Sequence, residues 1–181
     1  MNDEHTKKLL NDFPEFFKHR NNPQESLMIF GFECRDGWFD LIYNLCKDIK
    51  EYYLTEYNNG DEFYHCIPDD FYVVQVKEKF GGLRYYITAA PEYVHNLIHD
   101  AENKSFYVCE HCGKENPEYK KGDKRYKGFY RDKLPWILTL CDDCLRVHLE
   151  KKGLPFKDYV SPWQKENKAP FKIIKQGDGG E

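Results

Sequence analysis

Apolar and polar positions divide the chain into a few readable runs. Leu9, Leu10, Phe13, Phe16 and Phe17 recur at helical spacing, with Pro14 breaking or restarting the helix. Asp12 is placed to cap a second short helix that has Pro14 in its first turn. Asn21-Asn22-Pro23 reads as a loop. Trp38, Leu41, Ile42, Leu45, Ile49, Tyr52 and Tyr53 then form an apolar stripe opposite Asp40, Asn44, Lys47, Asp48 and Glu51. This pattern predicts an amphipathic helix whose stripe packs into a core. Asp36 is the expected N-cap, and Asp40 suits the positive end of the helix dipole.

Turn signals at Asn58-Asn59-Gly60-Asp61 and Pro68-Asp69-Asp70 precede two β-rich runs, residues 71–80 and 83–88, on either side of Gly81-Gly82. That order predicts a hairpin. With Gly81-Gly82 as the loop, Phe80 faces Leu83, Glu78 faces Tyr85, Val76 faces Ile87 and Val74 faces Ala89. This face is apolar apart from Glu78, whose expected partner is the Tyr85 hydroxyl or a distant cation. The other face sets Lys79 against Arg84, Lys77 against Tyr86 and Gln75 against Thr88. A bulge at the glycines shifts this register and swaps the faces. Pro91 opens a further helix through Tyr93, Val94, Leu97, Ile98 and Ala101, leading into Phe106-Tyr107-Val108.

Two CxxC pairs follow, Cys109-Glu110-His111-Cys112 and Cys141-Asp142-Asp143-Cys144, with 28 residues between them. Two intervening residues let both sulfurs of a pair reach one ion at about 2.3 Å. Gly113 follows the first pair, where the backbone turns under the metal. The pattern predicts one structural zinc ion held by Cys109, Cys112, Cys141 and Cys144. Four thiolates leave no open position for a water, so the ion holds the fold and does not catalyse. His111 and His148 are expected at the surface or beside the ligands. The second pair starts a helix through Leu145, Val147, His148 and Leu149, ended by Gly153, and residues 136–140 supply a strand before it. Knuckle, hairpin, and knuckle at a helix N-terminus resemble a treble-clef zinc finger over about residues 107–152. Nucleases built on that finger need a histidine on the hairpin; none lies between His111 and His148.

Composition adds three constraints. The chain has 181 residues, 40% hydrophobic and 32% charged, with 13 Phe, 14 Tyr and 3 Trp. A core of large rings is expected. The polar start Met1-Asn2-Asp3-Glu4-His5 lacks a secretory pattern, and no apolar run approaches the ~20 residues of a membrane helix. A reducing cytoplasmic setting is expected, with no membrane partner. There Cys34, Cys46 and Cys66, outside the metal set, read as small buried apolar residues. Finally, charge is split. Residues 1–103 carry a net charge of −9 and residues 104–175 carry +7. A zinc tetrathiolate lowers the latter to about +5.

The basic half concentrates its cations in residues 120–133: Lys120, Lys121, Lys124, Arg125, Lys127, Arg131 and Lys133, interleaved with Tyr126, Phe129 and Tyr130. Cations and rings together suit single-stranded or distorted nucleic acid. A solvated loop facing the acidic half, or a protein partner, fits the same pattern. Lys77, Lys79 and Arg84 on the hairpin form a second candidate for binding a phosphate or carboxylate. Glu78 is a candidate catalytic carboxylate if it lines a pocket. No phosphate loop, nucleophile elbow, HExxH motif or small-molecule site is recognisable.

Gly37-Trp38-Phe39-Asp40-Leu41-Ile42, the block from Val76 to Arg84 (VKEKFGGLR) and the paired CxxC together resemble a family of small proteins recurring in bacteriophage and prophage genomes. The resemblance spans about residues 30–150. It implies a bacterial or viral intracellular setting and supplies no catalytic residues. The expected organisation is α+β: helices packed on a small antiparallel sheet, with the central hairpin at about 71–88 and a four-cysteine, treble-clef-like zinc finger. Residues 1–103 form an acidic part, 104–164 the zinc-finger region and 165–181 a flexible tail. The expected role is a non-catalytic binding module for nucleic acid. The alternatives are an adaptor or inhibitor of a host protein, or an enzyme using Glu78.

Overall fold

The computed structural model describes residues 1–55, 66–122, 128–131 and 133–159. The turn expected at Asn58-Asn59-Gly60-Asp61, the tail, and Lys124, Arg125, Tyr126 and Lys127 lie outside the described residues. The fold is α+β. Its helices are α1 (Asp3–Asp12), α2 (Phe39–Thr55), α3 (Glu92–Ser105) and α4 (Asp142–Glu150). Two strands, β1 (Val73–Lys79) and β2 (Gly82–Ile87), form one antiparallel pair, and β3 (Tyr130–Arg131) and β4 (Leu138–Thr139) form another. No helix among the described residues is long and apolar enough to cross a membrane.

The stripe on α2 packs inward as its spacing predicts: Leu41, Ile42, Leu45, Cys46, Ile49 and Tyr53 are buried. Around it lie Phe13, Phe16, Phe17, Phe32, Trp38 and Phe71, all buried. Phe16 meets Phe71 edge-on at 5.1 Å, and Phe17 meets Phe32 at 5.3 Å. Such ring pairs add directional attraction to the area they bury.

Two capping expectations are corrected. Asp36 does not cap α2. It opens a short 3-10 turn, Asp36–Trp38, and its carboxylate accepts from the Asn2 amide at 2.6 Å and meets His5 Nδ1 at 3.2 Å. The Asn2 amide is the main influence holding this carboxyl below its ordinary range. Asp36 thus ties the start of α1 to the start of α2. Asp12 caps no second helix, because residues 14–20 form turns; its carboxylate accepts from Lys8 Nζ and the Tyr43 hydroxyl, each at 2.7 Å. In both cases a partner supplied by another part of the fold replaces the expected local amide.

The hairpin is present but its register differs. Its loop is Phe80-Gly81, with φ of 52° and 73°, so both residues adopt the left-handed conformation of a type I′ turn. Gly82 instead pairs with Lys79, followed by Glu78 with Leu83, Lys77 with Arg84, Val76 with Tyr85 and Gln75 with Tyr86. An irregularity between Val73 and Gln75 then sets Val73 against Ile87. The slide keeps Val76, Leu83 and Tyr85 on the buried face, so the faces do not swap. Gly82 is needed inside the strand because a Cβ there would lie 2.5 Å from the Phe106 ring.

Both edges of this small sheet are covered. The Glu33 amide donates to the Val76 carbonyl at 3.0 Å, and the Glu33 carbonyl accepts from the Glu78 amide at 2.9 Å. On the other edge, the Leu83 amide donates to Ser105 Oγ at 2.9 Å and the Tyr85 amide to Glu102 Oε1 at 3.0 Å. A two-stranded ribbon is marginal alone, and these contacts satisfy amides that would otherwise template association.

Candidate metal centre

The first knuckle is built from backbone bonds. Cys109 donates to the Lys114 carbonyl and Gly113 to the Cys109 carbonyl, each at 2.9 Å. Gly113 has φ of 75°, which glycine adopts without strain. In the second knuckle, Cys141 is the N-cap of α4 and Cys144 falls in its first turn. The helix therefore turns its positive end toward the sulfurs.

The four sulfurs of Cys109, Cys112, Cys141 and Cys144 all lie within 4.8 Å of one another. Cys112 Sγ and Cys141 Sγ are 3.7 Å apart. Sulfurs at about 2.3 Å from a tetrahedral ion are separated by about 3.8 Å, so the donor set fits a thiolate-bound metal ion. Burial pushes Cys109 up to about 11 and Cys144 higher still, while amides of Cys141, Cys112 and His111 support the Cys109 sulfur. A divalent cation bound here would hold these sulfurs as thiolates against the effect of burial. His111 Nδ1 lies 3.8 Å from Cys144 Sγ, beside the cluster as expected.

The knuckle is seated on the N-terminal core through Gly37 and Trp38. Gly37 donates to the Glu110 carbonyl at 3.0 Å. A Cβ at Gly37 would sit 2.1 Å from the Cys109 carbonyl oxygen and 2.6 Å from the Gly113 nitrogen. The fully buried Trp38 donates its indole N–H to the Val108 carbonyl at 2.9 Å. On the opposite side, Glu110 donates its amide to the Thr139 carbonyl at 2.9 Å, and the Thr139 hydroxyl reaches the Gly81 carbonyl. The metal loop is thus clamped between the start of α2 and the hairpin turn.

Three charged side chains are buried around this centre: Glu110, Arg131 and Asp142. Glu110 is 1% exposed, and its Oε1 lies 3.5 Å from Arg35 Nε. Burial pushes its carboxyl up to about 7 despite Arg35. Arg131, expected as a surface cation, is also 1% exposed. Its guanidinium donates to Asp142 Oδ1 at 2.8 Å and to the Leu140 carbonyl at 2.9 Å, fastening β3 to the second knuckle. Burial lowers it to about 10, against the attraction of Cys141 and Cys109. Sequence reasoning missed both roles, because neither residue is flagged by apolar spacing.

The remaining binding candidates are dispersed. Lys120 is exposed, Lys121 pairs with Asp100 of α3 at 2.5 Å, and Tyr130 packs edge-on against Phe106 at 5.7 Å. The like-charge pair on the hairpin is Lys77 with Arg84, not Lys79 with Arg84. It is relieved locally: Arg84 lies 3.9 Å from Glu102, and Lys77 sits 5.5 Å over the Tyr86 ring. Glu78 is only partly buried and does not meet Tyr85. Its carboxylate accepts from the Gly81 amide and from Trp136 Nε1, the latter at 3.4 Å. Tyr85 instead contacts Cys46 Sγ at 3.2 Å. Cys34 and Cys46 are buried as expected and pushed up to about 12 by burial, whereas Cys66 is exposed. The chain matches no protein-family model, no curated protein and no solved structure.

Proposed function

We propose that the four cysteines hold one zinc ion, and that the chain is a non-catalytic, zinc-stabilised module that binds nucleic acid. The observation carrying the zinc assignment is the closed set of four mutually adjacent sulfurs. An all-sulfur tetrahedral set favours zinc among the ions available to an intracellular protein, and it keeps no position for substrate. The order of knuckle, β3–β4 pair and α4 supports the reading of a treble-clef-like finger. The charge split supports nucleic acid as the partner, with +7 in residues 104–175 and the basic, aromatic tract of residues 120–133 at its centre. With Arg131 buried, the cations assigned to contact are Lys120, Lys121, Lys124, Arg125 and Lys127. The setting we assign is the cytoplasm of a bacterial cell, with a phage or prophage source. The test is a gel shift on a short single strand across a salt series. Binding is expected to weaken with salt and to vanish when Lys124, Arg125 and Lys127 become Glu; no shift at low salt ends this reading.

A second reading, a host-protein adaptor or inhibitor, is favoured by one observation. The 3-10 turn Leu27–Phe30 leaves Phe30 70% exposed and Ile29 48% exposed. It predicts a stoichiometric partner captured from host lysate and lost in Phe30→Ser. The enzyme reading draws no support from Glu78, whose carboxylate is engaged by the turn amide and Trp136.

A further inference from the structure

We infer that Phe80 and Trp136 form a stacking platform for the bases of a single-stranded nucleic acid. This rests on the nucleic-acid reading above and adds to it a base-contacting surface.

The two rings are 60% and 70% exposed, and the fold sets Trp136 beside the hairpin turn that carries Phe80. Trp136 Nε1 donates to Glu78, two residues before Phe80. Gly81, the next residue, packs toward the side chains of Ile137, Tyr130 and Thr139. The position of Phe80 is unusual in a second way. Its φ of 52° lies in the left-handed region, where a type I′ turn ordinarily takes Asn or Gly. A bulky ring there gains little burial to offset the strain, so local folding does not explain it.

Cations accompany the rings. Lys79 Nζ lies 5.6 Å over the Phe80 ring, and Lys133 is exposed three residues before Trp136. The acid within the platform, Glu78, has both oxygens committed. A protein-binding patch depletes lysine at its centre. Exposed rings beside lysines instead suit stacked bases joined by phosphates, and stacking tolerates any base sequence.

The test uses the full zinc-loaded chain and a fluorescent oligo-dT strand. Wild type is expected to bind with quenching of tryptophan emission. Phe80→Ala/Trp136→Ala is expected to weaken binding about tenfold or more, with the salt slope nearly unchanged. Phe80→Asn is expected to raise the melting temperature while weakening binding, an opposition that a purely structural residue does not produce. If the double ring variant binds like wild type, the platform falls and the loop reading stands. If the ring variant loses binding while the loop variant with three Glu substitutions keeps it, the platform stands and the loop assignment falls. If wild type binds no oligo-dT at low salt, both fall. Loss of a host-protein partner in Trp136→Ala, with oligo-dT affinity unchanged, also overturns the platform.

Discussion

The indole N–H of Trp38 donates to the main-chain carbonyl of Val108 at 2.9 Å, joining two residues 70 positions apart. This buried bond lets the entry to α2 fix the backbone that leads into the first metal knuckle. Replacing Trp38 by Phe keeps most of the apolar area and strands the carbonyl. The expected loss is about 1–3 kcal/mol, read by denaturant unfolding. An unchanged midpoint contradicts the assignment.

Gly37 makes a sharper case. Its missing side chain admits the knuckle backbone, with the Cys109 carbonyl oxygen 2.1 Å from where a Cβ would sit. Gly37→Ala is expected to cost about 3 kcal/mol or more through overpacking, and to weaken metal retention in a chelator competition. Gly31→Ala provides the contrast. Gly31 has φ of 72° and ψ of −157°, a region glycine alone adopts readily, and nothing within 4 Å of a Cβ, so only conformational strain of about 1–3 kcal/mol applies and metal retention is untouched.

Arg131 and Asp142 form a pair almost entirely removed from solvent. Arg131→Met leaves the Asp142 carboxylate without this guanidinium, and about 3–5 kcal/mol of destabilisation is expected. Arg131→Met/Asp142→Leu is expected to recover much of that loss, since no buried charge of the pair is left behind. A double variant as unstable as the single one counts against the pairing.

Glu110 makes stability depend on pH. Its carboxyl is pushed from 4.5 up to about 7 by burial. A raised carboxyl favours the folded state most when protonated, so its contribution is full below 4.5 and fades as pH rises through about 7. The shift corresponds to about 3 kcal/mol. Relative to wild type, Glu110→Gln is expected to gain stability from about pH 4.5 to about pH 7 and to level off above that, measured by chemical denaturation at fixed zinc. Parallel pH profiles for the two proteins contradict this.

Several features were legible in the sequence because they rest on local periodicity or fixed ligand spacing. The α2 stripe and the paired CxxC are the clearest cases: a helix face needs only a spacing of about 3.6 residues, and a knuckle needs only about two residues between sulfurs. The hairpin register was not legible. It depends on Phe80 adopting a conformation usually left to Asn or Gly, and on Phe106 occupying the space beside Gly82. The fates of Asp12, Asp36 and Arg131 were hidden for a related reason. Each is decided by a partner elsewhere in the chain, Tyr43, Asn2 and Asp142 respectively. The Gly37 contact was marked only by a glycine placed directly before a helix-leading tryptophan.

The central claim is that the described residues between 107 and 159 take their shape from one ion shared by the two knuckles. Native mass spectrometry with elemental analysis tests it most directly. The account predicts one zinc per chain in wild type, none in Cys112→Ser/Cys144→Ser, and proteolytic opening of the segment from 107 to 159 in that variant. A wild-type chain that carries no metal and resists protease as well after exhaustive chelation as before contradicts it.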